Sequence, residues 1–329
     1  MDITQKIDAV TKIGEDRLAM GGIQKPPKSV KIELTARCNL RCNFCALRTR
    51  KEQPKEDMDL NFFKEITSNM RISGVEEIGL FYLGESFMAK GLLVEAVKWC
   101  KQSEGFPHVF LTSNAVHADF ETVDLIMAAG LDSLKWSMNY WSANVFKKIT
   151  GGAVQAYDRS LNNIKDAFKI RNEKGYNTTL SASSIMFQEN QDVIMRNFID
   201  SEVKPYVDRH YWLPMYQMGI QKDKVISETG YYPTGGNMGR VDDITMQPTR
   251  EPLPCWAVFT EGHVRVDGHM SACCFGSDDR FDIGELNGSN FMEVWNSGKM
   301  QKLRKNHIRV LFEGPSALLG TPCEVCISK

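Results

Sequence analysis

No charge of one sign dominates this sequence. Forty Lys and Arg residues face forty-one Asp and Glu, a net charge of −1. That balance argues against a general nucleic-acid binder or a polybasic membrane binder and leaves room for a local patch. No apolar run approaches the roughly 18–20 residues of a membrane-spanning helix. The opening Met1-Asp2-Ile3-Thr4-Gln5-Lys6 lacks the apolar core of a secretory signal, so a cytoplasmic location is expected. Internal repeats and low-complexity segments are also missing. Cysteine is scarce through the middle: between residues 45 and 255 only Cys100 occurs.

What is present is ordinary in bulk. The 329 residues are 42% hydrophobic and 25% charged, enough chain for about two domains with full-sized cores. The unusual feature is the placement of the nine cysteines, at 38, 42, 45, 100, 255, 273, 274, 323 and 326. A chain of this length needs no disulfide staples. In a reducing compartment, clustered cysteines read first as metal or catalytic ligands.

Hydrophobic periodicity gives a regular alternation. A short helix over 3–20 and a Gly/Pro-marked connection over 21–27 precede it. Strands are expected at 30–34, 78–83, 108–111, 134–138, 179–186 and 210–213. Helices are expected at 60–70, 92–101, 120–129, 157–174 and 193–203, and Gly175 reads as a helix stop. Leu93, Val97 and Cys100 share one helical stripe, which makes Cys100 core. Strand–helix units of this kind give a parallel α/β sheet covered by helices. Six of them fit a partial (β/α)6 TIM-like barrel over 29–220 better than a closed eight-unit one. Periodicity alone leaves partial barrel and open sheet unseparated.

After residue 220 the pattern fails, and 221–254 reads as a linker or substrate loop. A second unit follows over 255–329. It is expected to hold a hairpin, 258–259 with 263–266, turning at Glu261-Gly262. A helix over 291–306 and a cysteine-bearing tail complete it.

The first cysteine group, Cys38-Asn39-Leu40-Arg41-Cys42-Asn43-Phe44-Cys45, has the spacing C-x3-C-x2-C at the end of the first strand. Three thiolates on one short loop can hold three irons of a 4Fe–4S cube and leave the fourth open to a chelating molecule. A zinc loop would need a fourth ligand close by, and Asn39, Asn43 and Arg48 are poor ones. Here the sequence resembles the radical S-adenosylmethionine (SAM) superfamily, whose signature is this loop with an aromatic (Phe44) before the last cysteine. The resemblance implies that SAM chelates the open iron. Tyr82-Leu83-Gly84-Glu85-Ser86 is similar to the family's Gly-Gly-Glu segment, which holds the methionine amino group; Leu83 stands where the first Gly is expected. Thr112-Ser113-Asn114 resembles the T-N-G-type turn after strand three, and Ser137 the serine that touches the ribose. Ser181 and Ser183 are weaker matches. The implied chemistry is reductive cleavage of SAM to a 5′-deoxyadenosyl radical, which takes a hydrogen atom from an unactivated C–H bond.

In the second group, Cys255, Gly268 and Cys273 form C-x12-G-x4-C, and Cys323-Glu324-Val325-Cys326 closes the chain. This arrangement, with Ile283-Gly284-Glu285-Leu286 and Val294-Trp295, resembles a SPASM domain. A full one carries two auxiliary clusters; Cys255, Cys273, Cys323 and Cys326 suffice for one, like the truncated twitch variant. The same layout occurs in aminocyclitol alcohol dehydrogenases of that type. Two 4Fe–4S clusters and SAM are thus the implied cofactors. A structural zinc site with four cysteine ligands is the other reading of this group. Cys274 is an alternative ligand or a hydrogen-atom donor.

Four protein ligands leave no iron open, so the auxiliary cluster would accept or donate an electron and not bind substrate. A ketyl radical is strongly reducing. Oxidation of a secondary alcohol in a sugar or aminocyclitol is therefore the leading function. Dehydration, decarboxylation or epimerisation of a sugar and peptide modification are further enzyme readings, and 28 residues before the barrel are short for a leader-binding domain. Outside enzymes stand an Fe–S electron-transfer or sensing protein and a zinc-binding interaction module. Arg209 and His210 are the candidate bases. Tyr211, Trp212, Tyr216, Gln217, Tyr231, Tyr232, Arg240, Tyr140 and Trp141 are weaker candidates for the pocket. The expected partners are a small polar substrate and an electron donor such as flavodoxin or ferredoxin, with neither nucleic acid nor membrane.

Overall fold

The computed structural model describes residues 2–46, 55–186, 189–215, 237–274 and 279–326. Two short helices open the chain, α1 (Ile3–Val10) and α2 (Glu15–Ala19). The alternation follows as β1 (Ser29–Ile32), α3 (Leu60–Ile72), β2 (Glu77–Gly79), α4 (Lys90–Lys98), β3 (His108–Ser113), α5 (Phe120–Ala128) and β4 (Ser133–Ser137). It continues with α6 (Ala143–Thr150), α7 (Gln155–Lys174), β5 (Thr179–Met186), α8 (Glu189–Phe198) and β6 (Arg209–Pro214). The C-terminal part holds α9 (Ala257–Thr260), β7 (Glu261–Val264), β8 (His269–Ser271), β9 (Asp282–Glu285), α10 (Phe291–Trp295) and α11 (Gly298–Glu313).

The nine strands of the described residues share one sheet, in the order β6-β5-β4-β3-β2-β1-β7-β8-β9. β1 to β6 are parallel throughout, as expected for strands joined by helices. β7 extends the same sheet by pairing parallel with β1, and β8 and β9 follow antiparallel. One face of each strand packs under the helices. Val30, Ile32, Ile78, Val109, Leu111, Leu134, Trp136, Leu180 and Ala182 are fully buried there. Each of the buried Val, Ile and Leu side chains contributes on the order of 1.5–3 kcal/mol. The other face closes on a lumen: residues of β1, β2, β3, β4, β6 and β7 line a single cavity. Only a sheet curled around its own face brings those strands together, so the architecture is a partial barrel and not an open sheet.

The helix ends follow local chemistry. Asp59 and Asp119 cap α3 and α5 through the amides of Phe62 and Thr122, and Gly175 ends α7 in the left-handed conformation. α1 lies at the strand-entry end of the lumen, where Ile3, Ile7 and Val10 line the cavity beside Ser29, Glu77, His108 and Ser133, the first residues of β1 to β4. Residues 237–250 cover the edge of β6 through the amide of Val241, which donates to the Trp212 carbonyl at 2.9 Å. Arg240 in that segment pairs with Asp8 at 3.1 Å. The Arg304 guanidinium is fully buried; it donates to the carbonyls of Gly22, Val258 and Trp295, each at 2.8 Å, and stacks on the Trp295 ring. It thus clamps α11 to both the N-terminal segment and α9.

Several elements differ from the sequence reading, among them α6, which it lacks, and α8, which begins at Glu189 and ends at Phe198 where a helix over 193–203 is expected. The expected helix over 3–20 is two helices. The strand expected over 78–83 ends at Gly79, and the chain leaves the sheet toward Glu85. The hairpin is β7 with β8, turning beyond Val264. The apolar run Ala257–Thr260 is one helical turn and no strand, a confusion inherent in short buried apolar runs. The helix over 291–306 is α10 and α11, because Ser297 caps a new helix through the amide of Met300.

Candidate functional site

The first cysteine loop leaves the exit end of β1. It is pinned by two amides, Arg41 to the Thr150 carbonyl at 2.7 Å and Asn43 to that of Ile149 at 3.0 Å, both at the end of α6. The Cys45 amide donates to the Cys42 carbonyl at 3.1 Å, so the last two cysteines share one turn. Phe44 packs beside Ile149 and Met215. Burial pushes the Cys38 thiol up to about 12, against one backbone donor at Leu40, and the Glu85 and Cys45 charges push the same way. Three crowded thiols beside a carboxylate suit a positively charged iron centre.

Glu85 is buried and held by three donors. Its Oε1 accepts from Ser113 Oγ at 2.9 Å and the Phe87 amide at 3.2 Å; its Oε2 accepts from the Asn114 amide at 2.8 Å. Burial lifts its pKa above the usual carboxylate range despite those donors. Gly84 brings it there. A Cβ at residue 84 would lie 1.9 Å from the Thr35 carbonyl oxygen, so only glycine lets this turn press against the backbone leading into Cys38. The Glu85 amide then donates to the Arg37 carbonyl at 2.9 Å. Asn114 Nδ2 donates to Asn39 Oδ1 at 3.0 Å, tying the third strand's turn to the cysteine loop. Ala115, next in that turn, sits at φ +67°, strained for a residue with a side chain.

The second group is buried more deeply. Cys255, Cys273, Cys274, Cys323 and Cys326 crowd one another. Burial raises Cys255 to about 11 and, with the charges of Cys255 and Cys274, Cys326 to about 12. Within the adjacent pair, Cys274 is the thiol held below its ordinary value, first by the Cys273 thiol donating to it and then by Lys31. Donors converge on this group from two sides. Asn237 Nδ2 lies 3.7 Å from Cys255 Sγ, and His307 Nε2 lies 3.4 Å from Cys323 Sγ. The Tyr82 hydroxyl, three residues before Glu85, donates to the Cys273 carbonyl at 2.8 Å and so joins the two cysteine sites through one side chain.

The second group borders the lumen cavity, about 280 Å³, which is lined by Cys274, Asn237 and Trp256 and extends past Lys31 and Lys135 to Thr112 and Leu213. Its walls are largely apolar. Lys31 Nζ pairs with Glu261 Oε1 at 2.7 Å, and the other Glu261 oxygen meets His263 Nε2 at 3.1 Å. Burial pushes Glu261 up, but Lys31 and His263 outweigh it and hold the carboxyl at about 2. Lys135 has no ion-pair or hydrogen-bond partner among the described residues. Its ammonium lies 6.0 Å from the Tyr211 ring, and burial, helped by Lys31, brings it down to about 8.

The two expected bases do not reach this space. Arg209 stands at the entry end of β6, paired with Asp243 at 2.6 Å. His210 faces away from the lumen: its Nε2 meets Ser184 Oγ at 2.9 Å, its ring packs on Trp212, and burial lowers it to about 3, leaving it neutral. Alternation along β6 turns Tyr211 and Leu213 inward instead. Ser137 and Ser183 sit in register at the exit ends of β4 and β5, on the side of the cysteine loop, whereas the Ser86 hydroxyl donates to the Leu80 carbonyl at 2.6 Å and shapes the Glu85 turn. Arg240 and Tyr140 are structural, and Tyr140 donates to Ser160 in the core. Tyr216, Gln217, Tyr231 and Tyr232 lie outside the described residues. Lys31, Lys135, Glu261 and His307 went unread in the sequence. A lysine between apolar strand residues, as in Val30-Lys31-Ile32 and Leu134-Lys135-Trp136, was the available signal for two of them.

Comparison with known proteins agrees with this geometry. Residues 32–191 match the family model described as the radical SAM superfamily, and 255–326 match SPASM, an iron–sulfur cluster-binding domain. A probable GTP 3′,8-cyclase of Saccharolobus solfataricus is 33% identical over 297 residues, covering 82% of this chain and 90% of that protein. The GTP 3′,8-cyclase of Chlorobaculum tepidum is 23% identical over 200 residues, 59% of this chain and 58% of its own. Among solved structures, Streptococcus suis SuiB bound to its precursor peptide SuiA superposes with a TM-score of 0.62 at 15% identity, over 94% of this chain and 73% of that one. Native anSMEcpe with bound AdoMet gives 0.62 at 11% identity, over 85% and 83%. With such a loop, such a barrel and these matches, the chain belongs to the radical SAM superfamily and carries a C-terminal SPASM domain, so SAM, a 4Fe–4S cluster and an auxiliary Fe–S cluster are its cofactors.

Proposed function

We propose that this enzyme oxidises a secondary alcohol of a small polar molecule, of the sugar or aminocyclitol class, held in the lumen that borders the second cysteine site. Cys38, Cys42 and Cys45 are assigned to the SAM-binding cluster, and Cys255, Cys273, Cys323 and Cys326 to the auxiliary one. Glu85, presented by Gly84, is assigned to the methionine amino group, with Thr112, Asn114, Ser137 and Ser183 around the rest of SAM. When bound, these groups would supply a 5′-deoxyadenosyl radical and a one-electron acceptor. The chain's own contribution is a largely apolar cavity and a proton acceptor. Lys135 takes the base role that Arg209 and His210 cannot fill, because burial keeps a neutral fraction near pH 8 and no carboxylate of the described residues pairs with it.

The cavity is the observation that carries this reading. Its volume of about 280 Å³ lies just below the usual range of roughly 300–1,000 Å³ for ligand pockets and suits a monosaccharide-sized molecule better than a peptide. A second reading, a nucleotide substrate, draws on the GTP 3′,8-cyclase relatives. The charge of the lumen disfavours it: Lys6, Lys31 and Lys135 face Glu77 and Glu261, with Lys31 already paired, which is little for a triphosphate. The reductant is assigned to a flavodoxin or ferredoxin and the setting to a reducing cytoplasm.

The test is anaerobic reconstitution with SAM, dithionite and a panel of sugars and aminocyclitols deuterated at carbinol carbons. The expected outcome is deuterium in 5′-deoxyadenosine with a matching ketone, and ketone formation slowed about 10²–10⁴-fold in Lys135→Met while SAM cleavage persists. Deuterium arriving instead from labelled GTP or from a peptide would overturn the alcohol reading.

A further inference from the structure

The face of α11 that packs inward carries Met300, Leu303, Arg304 and His307, all buried. His307 is fully buried, and both of its ring nitrogens are committed to the second cysteine group. The Cys255 amide donates to Nδ1 at 3.2 Å, so Nδ1 carries no hydrogen. The neutral ring must then bear its hydrogen on Nε2, and Nε2 is the atom 3.4 Å from Cys323 Sγ. The backbone of one cysteine in the group thereby fixes the tautomer that donates to the sulfur of another, and hydrogen bonds to ligand atoms are a general means of tuning metal centres. A sulfur ligated to iron carries more negative charge when its cluster is reduced. A donor aimed at that sulfur stabilises the reduced state and raises the reduction potential.

We infer that His307 is a positioning residue that sets the auxiliary cluster's potential, its Nε2–H donating to the Cys323 thiolate and making the cluster easier to reduce. This rests on the assignment of Cys323 as a ligand, and it is independent of which substrate is used. The consequence is a cluster poised to receive an electron: without the bond, the same four sulfurs would hold a more reducing centre. Asn237, 3.7 Å from Cys255 Sγ, adds a weaker donor of the same sense.

The experiment is an EPR-monitored redox titration of anaerobically reconstituted protein in which Cys38, Cys42 and Cys45 are all replaced by Ala, so that only the auxiliary cluster responds. Against this background His307→Phe removes the donor at similar volume, and His307→Gln restores an N–H near the Nε2 position. The expected result is at least a tenfold fall in the reduced-to-oxidised ratio at fixed potential for His307→Phe, about 59 mV for a one-electron couple. His307→Gln should recover most of it. A His307→Phe cluster with full iron and sulfide that titrates like the parent would overturn the inference. If His307→Phe does not retain its cluster, the parent protein itself decides. With 15N-histidine and H2O/D2O exchange, a weak histidine coupling with an exchangeable proton supports the bond. No histidine coupling, or the strong coupling of an iron-bound nitrogen, overturns it. A cluster that survives Cys323→Ala unchanged would instead remove the ligand assignment on which the inference stands.

Discussion

The two cysteine groups, linked through Tyr82, are built differently. Cys38, Cys42 and Cys45 lie half-buried on a loop, and their neighbourhood is organised around a carboxylate: Glu85, three donors to it, and a glycine that presses it close. The second group lies deeper, has a thiol more than four-coordinate ligation needs, and its sulfurs are met by a histidine and an asparagine side chain, with Glu261 acting on Cys255 and Cys274 through its charge. A site that must accept a zwitterionic ligand keeps one face open and offers an anion to it. The proposed electron-accepting site instead offers hydrogen bonds to sulfur. The difference in surroundings carries more information about role than the cysteines do.

Single substitutions separate the two sites. The largest effect is expected from Glu85→Ala. It leaves Ser113 Oγ and the amides of Phe87 and Asn114 without an acceptor, at about 3–5 kcal/mol in total. SAM binding, read by equilibrium dialysis, should be lost while the auxiliary cluster's EPR signal is retained. Next is Gly84→Ala, whose Cβ meets a backbone carbonyl and not a pliable side chain. A loss of about 1–3 kcal/mol is expected by denaturant titration, with SAM affinity reduced and auxiliary iron intact. Equal damage to both iron sites by either variant would contradict their independence.

Smaller effects are expected at two buried residues that meet neither cysteine group, His210 and Ala115. His210 takes up a proton near pH 6.5 in the unfolded chain but only near pH 3 when folded. Its contribution to stability is complete above pH 6.5 and is lost as pH falls toward 3, at about 1.4 kcal/mol per pH unit. His210→Leu should flatten the acid limb of the stability–pH curve by that slope and leave iron content and SAM cleavage unchanged. Loss of cleavage would return His210 to the site. The smallest effect is Ala115→Gly. Relief of the left-handed strain, partly offset by the greater entropy of unfolded glycine, should stabilise the protein by about 0.5–1 kcal/mol, seen as a small rise in Tm.

The local features of this molecule were legible in its sequence and the non-local ones were not. The C-x3-C-x2-C loop and Glu85 are readable because ligand spacing and strand-end position are properties of short segments. Arg209 and His210 misled for a geometric reason. Both faces of a parallel strand are covered, so nothing in Arg209-His210-Tyr211-Trp212 says which residues turn inward or which end of the strand faces the cysteines. Lys135 was visible only as a charge inside an apolar run. His307 looks like a core histidine on an apolar stripe, because its partner Cys323 is sixteen residues further on, beyond the end of α11. The run Ala257–Thr260 shows the same limit at smaller scale: four apolar and β-branched residues serve a helical turn as readily as a strand.

The division of labour between the two sites is tested most directly by quantifying 5′-deoxyadenosine by mass spectrometry after anaerobic reconstitution with SAM and dithionite, in wild type, Cys42→Ala and Cys323→Ala. The account predicts formation in the wild type, none in Cys42→Ala, and continued formation in Cys323→Ala with about four irons per chain fewer. Cleavage that persists in Cys42→Ala, or that disappears in Cys323→Ala with the first cluster fully loaded, would contradict it.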